Sequence, residues 1–143
     1  MISNRKASFE YHFLQTYTAG MVLTGTEVKS LREGKGNLSD AYCLIENGEL
    51  WMRNMHISEF KQGSYNNHDP KRQRKLLLKK SELKKMLSRL REKGITMIPV
   101  KVFFNDRGFA KVEIALARGK KQFDKREDMK KKDAQREMDR AHK

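Results

Sequence analysis

The sequence predicts a mainly β protein, with about six antiparallel strands closed into a small barrel and three helices around it. Two observations favour this fold class. Short runs of alternating or apolar residues recur between residues 9 and 117, and glycine or asparagine turns separate them. Helical periodicity is confined to three short segments. Because closing a sheet removes its exposed edges, a barrel suits a small domain of this kind.

The strands are predicted from local pattern. The first two are "FEYHFLQTY", which alternates loosely from Phe9, and the short apolar run "AGMVLTG". The clearest signal is "DAYCLIENGELWMRNM", where two strand-like runs flank Asn47-Gly48, a dipeptide that tolerates positive φ at both central positions of a type I′ turn. A second hairpin is predicted in "ITMIPVKVFFNDRGFAKVEIALA", with its turn between Asn105 and Gly108.

The last strand of that second hairpin has two different faces. One face is apolar and suits a core: Ala110, Val112, Ile114 and Leu116. The other face carries an aromatic and two charged residues: Phe109, Lys111 and Glu113. The second face is therefore expected to meet solvent.

Three segments predict helices. "TEVKSLREGKG" has good helix formers from Glu27 to Glu33 before two glycines stop it. "HDPKRQRKLLL" has Asp69 where an N-cap belongs and Pro70 at the first helical position. In "SELKKMLSRLREKG", Ser81 is the expected cap, and an apolar stripe has helical spacing. The stripe consists of Leu83, Met86, Leu87 and Leu90.

The chain divides into a domain at 1–117, for which an OB-like barrel fits the size, and a basic tail at 118–143. The tail has 11 Lys and Arg against 6 Asp and Glu, and most of its residues are good helix formers. Its only apolar spacing is the thin stripe Ala134, Met138 and Ala141. A helix without an apolar face gains little from packing. The tail is therefore expected to be disordered alone and helical on an anionic partner.

Charge points to a polyanionic partner. The chain carries 32 Lys and Arg against 18 Asp and Glu, a formal net charge of +14, and both the domain and the tail are basic. Nucleic acid is the first expectation and an anionic membrane surface is the rival. The tail lacks the bulky apolar residues of a membrane-surface helix. No membrane-spanning run or signal peptide is found, and the single cysteine fits a reducing cytosol.

Nothing in the sequence favours catalysis. Cys43 lies within the strand-like "YCLIE", the usual place for a buried structural cysteine. The four histidines are scattered without metal-ligand spacing, and one cysteine cannot build a typical zinc site. No Walker motif or dinucleotide fingerprint is present. No cofactor or metal is therefore expected, and an RNA-processing enzyme is a weak alternative.

The chain resembles small protein B, the family of tmRNA-binding proteins of bacterial trans-translation. The resemblance is carried by "NRKASFEY", "TGTEVKSLREGKGNLSDAY" (24–42), "DPKRQRKLLL" (69–78) and "RGKKQFDKR" (118–126), in family order and at family spacing. It implies an OB-fold barrel with three helices and a tail that is unstructured in the free, monomeric, cytoplasmic protein. It also implies binding to the tRNA-like domain of tmRNA and delivery, with elongation factor Tu, to the A site of a stalled 70S ribosome. There the tail would form a helix in the empty mRNA channel beside 16S rRNA.

The resemblance also implies contact residues. Those expected to bind tmRNA are Asn4, Arg5, Lys6, Glu27, Lys29, Ser30, Arg32, Lys75, Leu77, Lys111, Lys120, Lys121 and Gln122. Those expected at the decoding centre and mRNA channel are Phe123, Asp124, Lys125, Arg126, Lys130, Lys131, Lys132, Arg136 and Met138. Glu27 is expected to bond base or 2′-OH donors, while Lys29 and Arg32 meet phosphates.

Two positions depart from the family, and one alternative function stays open. Phe123 stands where the family often has His, and Thr18 stands where Glu often precedes "AG". The alternative is a general basic ribosome-associated or rRNA-binding protein, because composition alone does not exclude it. Stoichiometry separates the two, since a ribosomal protein is present on every ribosome and a rescue factor is not.

Overall fold

The computed structural model describes residues 1–61 and 67–120, which form nine strands and three helices. The strands are β1 (Ile2–Ser3), β2 (Tyr11–Met21), β3 (Gly36–Asn37), β4 (Tyr42–Glu46), β5 (Glu49–Arg53), β6 (His56–Ile57), β7 (Arg74–Leu77), β8 (Ile95–Phe104) and β9 (Ala110–Gly119). The helices are α1 (Ala7–Glu10), α2 (Gly25–Arg32) and α3 (Lys80–Leu90). The mainly β prediction is confirmed.

Seven strands form one antiparallel sheet in the order β1-β8-β9-β2-β7-β5-β4, and β3 pairs with β6 separately. The sheet curls until Tyr42 of β4 and Met97 of β8 line the same groove, but β4 and β8 are not hydrogen-bonded neighbours. The predicted closed barrel of about six strands is therefore wrong, and the sheet is a half-barrel. One reason is that β1 pairs with Lys101 and Val102 and so occupies part of the edge of β8 that closure would need.

The two strands predicted at the start of the chain are one long strand, β2. It pairs with β9 along most of its length, with an irregularity between Phe13 and Gln15, and with β7 at its end. Gly20 lies within the strand, where it faces Lys111 on one side and Leu77 on the other. The strand therefore continues through this glycine and links the two halves of the sheet.

Both predicted hairpins are present. Asn47 and Gly48 have φ values of 54° and 75°, as a type I′ turn between β4 and β5 requires. In the β8–β9 turn, Asn105 Oδ1 accepts hydrogen bonds from the backbone of Arg107 and Phe109, and Gly108 has a φ of 83°. The apolar face predicted for β9 is buried, as the sequence indicated.

The helix predicted in "HDPKRQRKLLL" is wrong. Asp69 instead closes a turn, because its Oδ1 accepts from the Lys71 N–H at 2.9 Å and its carbonyl accepts from the Arg72 N–H at 3.1 Å. An Asp-Pro pair opens turns as readily as helices. The residues that follow form β7, with Arg74 and Leu76 directed inward. Burial of alternate residues thus sets the local structure here.

The other two predicted helices exist with shifted starts. Thr24 caps α2 through a reciprocal pair of hydrogen bonds with Glu27, and Gly34 follows with a φ of 75°. Helix α3 begins before the predicted cap, so Ser81 lies inside it and Lys79 occupies the N-cap position. Met86 is fully buried, whereas Leu87 of the predicted stripe is exposed.

The core lies on the inner face of the curled sheet, where α2 and α3 pack. A second, smaller cluster lies on the outer face, where Ala7 of α1 covers Ala115, Ala117 and Ile98. Helix α1, which the sequence analysis did not predict, therefore covers one end of the outer face. The other end, toward the β8–β9 turn, has no such cover among the described residues.

A buried ion-pair network centred on Glu27 joins α2 to β7. Glu27 and Arg74 are both 0% exposed, and Arg74 Nε donates to Glu27 Oε2 at 2.6 Å. The other carboxylate oxygen accepts from Arg72 Nη2 at 2.5 Å and from the Thr24 N–H at 2.8 Å. Both carboxylate oxygens of Glu27 thus accept hydrogen bonds from groups within the protein.

Arg74 also donates hydrogen bonds to two backbone carbonyls. Nη1 donates to Met55 at 2.5 Å and Nη2 donates to Pro70 at 3.2 Å. The guanidinium therefore ties the end of β5, the Asp69 turn and α2 to one point. A buried charge that is paired and hydrogen-bonded is tolerated, whereas one that loses its partner is costly.

His68 adds a second connection to α2. Its Nε2 lies 2.8 Å from the Ile57 carbonyl, which can only accept, so Nε2 carries the hydrogen. Its Nδ1 is hydrogen-bonded to the Thr26 hydroxyl at 2.8 Å. The buried ring thus holds β6 against the first turn of α2.

The protein environment favours the ionised form of Glu27. Burial disfavours the charge, but hydrogen bonds from Arg72 and the Thr24 backbone, together with the charge of Arg74, outweigh it and lower the pKa of Glu27. A lowered pKa means that this carboxylate stabilises the fold above its unfolded-state pKa. That stabilisation is lost as the pH falls through the folded-state pKa.

We expect Glu27→Gln to lower the free energy of unfolding by about 3–5 kcal/mol, because Arg74 would be left buried without its counter-charge. Urea denaturation at neutral pH measures this change. The matched control is Glu33→Gln, which removes an exposed carboxylate next to Lys35 just after the same helix and should change stability little.

The same pair of variants tests the pH dependence. The stability difference between wild type and Glu27→Gln should shrink as the pH falls below the ordinary glutamate pKa of about 4.3 and then through the lower folded-state pKa of Glu27. The unfolded chain is protonated first, and the folded carboxylate is protonated at lower pH. A difference that stays constant on acidification would show that the charge of Glu27 does not stabilise the fold.

We expect the Cys43 thiol to be unreactive in the folded protein. It is buried in β4, and burial raises the pKa of Cys43 to about 12. Labelling with a disulfide reagent at pH 8 should be fast in 8 M urea and should occur in the native protein only as fast as it unfolds. Native labelling at the unfolded rate would contradict the burial of this residue.

Candidate nucleic-acid interface

Two rows of paired residues cross the outer face of the sheet. The first, here called the Lys111 row, runs across β7, β2, β9 and β8 and contains Leu77, Gly20, Lys111 and Phe103. The second, here called the Glu113 row, lies two residues further along the strands and contains Thr18, Glu113, Lys101 and Ser3. Paired residues in a sheet point to the same side, so the two rows form one continuous surface.

The Lys111 row combines a positive charge with an open apolar surface. Leu77 is 53% exposed, and Gly20 leaves a gap between it and Lys111. A Cβ at Gly20 would lie 3.6 Å from Leu77 Cβ and 3.7 Å from Lys111 Nζ, so the ammonium lies beside the leucine over the glycine. Within residues 1–61 and 67–120, Lys111 has no ion pair. Such a lysine can neutralise a phosphate while Leu77 packs on a sugar or base.

Aromatic rings flank this charge. Phe109 is 62% exposed at the start of β9, on the same face as Lys111. Phe103, the partner of Lys111 on β8, has the Lys101 ammonium 5.7 Å from its ring centre. Exposed rings beside lysines can stack on unpaired bases, which have a flat apolar face.

Lys29 and Arg32 of α2 are exposed and rest on aromatic rings. The Lys29 ammonium is 5.5 Å from the centre of Phe60, and the Arg32 guanidinium is 4.5 Å from the centre of Phe104. Arg32 Nη2 also donates to the Gly108 carbonyl at 3.4 Å. These contacts hold two positive charges at fixed places, one of them at the tip of the β8–β9 hairpin.

The expectation that Glu27 and Ser30 contact RNA must be corrected. Both side chains are fully buried, and the oxygens of Glu27 are already occupied by Arg72, Arg74 and the Thr24 backbone. The "EVKSLR" segment therefore has two functions. Its inward residues fix the helix, and its outward residues Lys29 and Arg32 carry the charge.

The N-terminal residues lie beside the end of the two rows that is formed by β8 and β1. Asn4 is bonded to β8, since its side-chain amide donates to the Pro99 carbonyl at 3.1 Å and its backbone N–H donates to the Val100 carbonyl at 2.8 Å. Arg5 and Lys6 are exposed next to it. The structure thus assigns Asn4 a structural role and leaves the two cations open to solvent.

Of the remaining residues predicted to contact RNA, two lie within the residues that the structure describes. Lys75 lies on the outer face, where it pairs with Glu49 at 3.1 Å, and Lys120 follows β9 with its backbone bonded to Glu10. The others lie outside the described residues: Lys121, Gln122, Phe123, Asp124, Lys125, Arg126, Lys130, Lys131, Lys132, Arg136 and Met138.

Several contributors were missed by sequence reasoning. Arg72 and Arg74 lie in "KRQRK", which has the appearance of a solvated helix face, so no local signal indicated a buried ion pair. Lys101 and Phe103 become neighbours of Lys111 and Glu113 only through the register of β8 and β9. The alternating pattern of that hairpin could have identified their shared face.

The chemistry available on this surface is that of binding. Within the two described ranges, no group of three or more His, Cys, Asp or Glu is placed to hold a metal ion. The helices described there are all too short or too polar to span a membrane. The two rows offer lysines, aromatic and leucine side chains and one carboxylate, and α2 adds Lys29 and Arg32 outside them. This set suits recognition of an anion that also carries flat apolar groups.

Comparison with known proteins gives a consistent result. The family model described as SmpB protein matches residues 1–143. The chain is 57% identical over 142 residues to the SsrA-binding protein of Phocaeicola vulgatus, with 99% of this chain and 95% of the relative covered. It is 58% identical over 139 residues to the SsrA-binding protein of Cytophaga hutchinsonii, with 97% and 91% covered.

The fold has a counterpart among solved structures. A structure described as "tmRNA-SmpB: a journey to the center of the bacterial ribosome" matches with a TM-score of 0.70 and 50% identity, and 84% of each chain is covered. Because the family model spans every residue and both relatives share more than half of the aligned sequence, the chain belongs to the SmpB protein family.

Proposed function

We propose that this protein binds tmRNA, also called SsrA RNA, and acts in bacterial trans-translation. The observation that carries the proposal is the Lys111 row, an open row of lysine, leucine and phenylalanine on a basic protein. Membership of the SmpB protein family supports it, as do the relatives named SsrA-binding proteins. The function is binding and not catalysis, and no cofactor is part of it.

The surface fits the chemistry of folded RNA. On the outer face, Lys111 would meet a phosphate while Leu77 and Phe109 would pack against sugars or unstacked bases. Lys29 and Arg32 of α2, with Arg32 at the tip of the β8–β9 hairpin, would meet further phosphates. Glu27 takes part indirectly, since its buried network fixes the side of α2 that carries Lys29 and Arg32. The half-barrel is an OB-like scaffold in this proposal, and its outer face binds the tRNA-like domain of tmRNA.

The complex would then act on a stalled 70S ribosome in the bacterial cytoplasm. A solved structure described as tmRNA-SmpB at the centre of the bacterial ribosome supports this destination. Elongation factor Tu would take part in delivery, and the free protein would be a monomer. The basic tail at 118–143 would lie at the decoding centre and in the empty mRNA channel, where rRNA phosphates attract its 11 Lys and Arg.

We expect Lys111→Ala to weaken binding to the tRNA-like domain of tmRNA about tenfold at moderate salt, because one phosphate contact is lost. Leu77→Ala should weaken binding by a similar factor through lost packing. Fluorescence anisotropy over a series of KCl concentrations separates the two, since only Lys111→Ala should lower the salt slope by about one.

The matched control is Lys84→Ala, which removes an exposed lysine from α3, a helix that belongs to neither row. It should leave tmRNA affinity nearly unchanged. If the control and Lys111→Ala weakened binding equally, the attraction would be general and the Lys111 row would not be the site.

We expect deletion of residues after Gln122, which keeps the expected tmRNA contacts Lys120, Lys121 and Gln122, to leave tmRNA binding nearly intact and to abolish tagging of nascent chains on stalled ribosomes. The reason is that the described domain carries the surface and the tail carries the ribosomal contacts in this proposal. A reconstituted tagging reaction, paired with the anisotropy assay, measures both activities. Loss of both together would contradict this division of labour.

A further inference from the structure

Glu113 is a carboxylate in the middle of an otherwise basic surface. It lies at the centre of the Glu113 row, with Thr18 opposite it on β2 and Lys101 opposite it on β8. Two residues away on the same strand and face is Lys111. A negative charge at this place makes the local electrostatic potential more negative and repels any phosphate, so it needs a physical explanation.

The contacts of Glu113 leave much of its bonding capacity unused. Its side chain is 27% exposed, and its Oε2 lies 3.4 Å from the Lys101 ammonium. Apart from Lys101, no residue within 1–61 and 67–120 donates a hydrogen bond to its carboxylate. Lys111 does not pair with it, since that ammonium lies over Gly20 beside Leu77. The half-buried carboxylate therefore keeps hydrogen-bonding capacity that no described residue uses.

A carboxylate treats the parts of an RNA differently. Phosphates carry no donors at neutral pH, so Glu113 repels them. The 2′-hydroxyl and the base edges do carry donors, and a hydrogen bond to an ionised acceptor is stronger than a neutral one. Two carboxylate oxygens side by side also match the adjacent N–H groups of a guanine edge. Glu113 thus favours an RNA that presents a donor here and disfavours one that presents only phosphates.

We propose that Glu113 is a specificity-determining residue that accepts a hydrogen bond from a base edge or a 2′-hydroxyl of the bound RNA. The inference rests on the proposed function, because it deepens the role of the same outer face. Glu113 selects among RNAs, while Lys111 and its neighbours attract them all. Such a negative charge lowers the affinity for wrong partners as well as stabilising the right one.

The test is Glu113→Gln, which keeps the shape and removes the charge. Affinity should fall about tenfold for the tRNA-like domain of tmRNA and should rise up to severalfold for a mixed-sequence RNA duplex of equal length. The control Glu46→Gln removes a carboxylate that is likewise ion-paired, to Arg53 at the edge of the sheet, and should lower neither affinity. Thermal unfolding of both variants verifies that they are folded.

The opposite changes in affinity expected for the two RNAs exclude a simple electrostatic effect. Removing Glu113 also frees Lys101, but a freed lysine would tighten binding to both RNAs. If Glu113→Gln bound both RNAs equally or more tightly, the specificity role would be overturned while the proposed function stood. If Lys111→Ala had no effect on tmRNA binding, the proposed function of this face would fail instead.

Modified RNAs identify the donor. In the wild type, replacing guanosines of the tRNA-like domain with inosine removes the exocyclic amine, and 2′-deoxy substitution removes the hydroxyl. A substitution that weakens the wild type but not Glu113→Gln marks the group that Glu113 binds. If neither series, nor masking of the other base-edge donors by methylation, distinguished the wild type from the variant, the proposal would be overturned.

Discussion

The ion pair between Glu27 and Arg74 is the constraint on which the rest of the structure depends. Two charges that are both 0% exposed are stable only together, so α2 can dock in one place and with one rotation. Arg74 at the same time donates to the carbonyls of Met55 and Pro70, which fixes the chain after β5 and the turn before β7. One pair of residues thus sets the relation of the helix, the sheet and the connecting turn.

An apolar pair at this position could be as stable, because removing two charges from water is costly. The charged pair adds a fixed orientation, because its hydrogen bonds set the rotation of α2 about the helix axis and apolar contacts do not. Leu31, the buried leucine of α2, supplies apolar contact without direction. With Glu27 fixed, Lys29 and Arg32 face solvent and rest on Phe60 and Phe104. The buried ion pair of Glu27 and Arg74 therefore determines where the exposed charges of Lys29 and Arg32 lie.

The parts of the fold with strong local signals were predictable from the sequence. The Asn47-Gly48 turn and the alternating face of β9 are specified within a few residues, and the basic character of the surface follows from net charge. What failed depended on distant partners. Asp69 could begin a helix or a turn, and only the burial of Arg74 against Glu27 decides for a strand. Glu27 itself was expected on the surface, because a carboxylate shows no sign in sequence that two arginines will surround it.

The pairing of β1 with β8 has a consequence beyond the shape of the sheet. Ile2 and Ser3, extended by the two hydrogen bonds of Asn4, satisfy backbone groups along the outer edge of β8. An uncovered strand edge is a template for pairing with another chain, and this leads to aggregation. The first few residues thus cover this edge of the sheet and hinder its pairing with another chain. A truncation or a bulky tag that displaced them would reduce solubility even if the RNA-facing surface were unchanged.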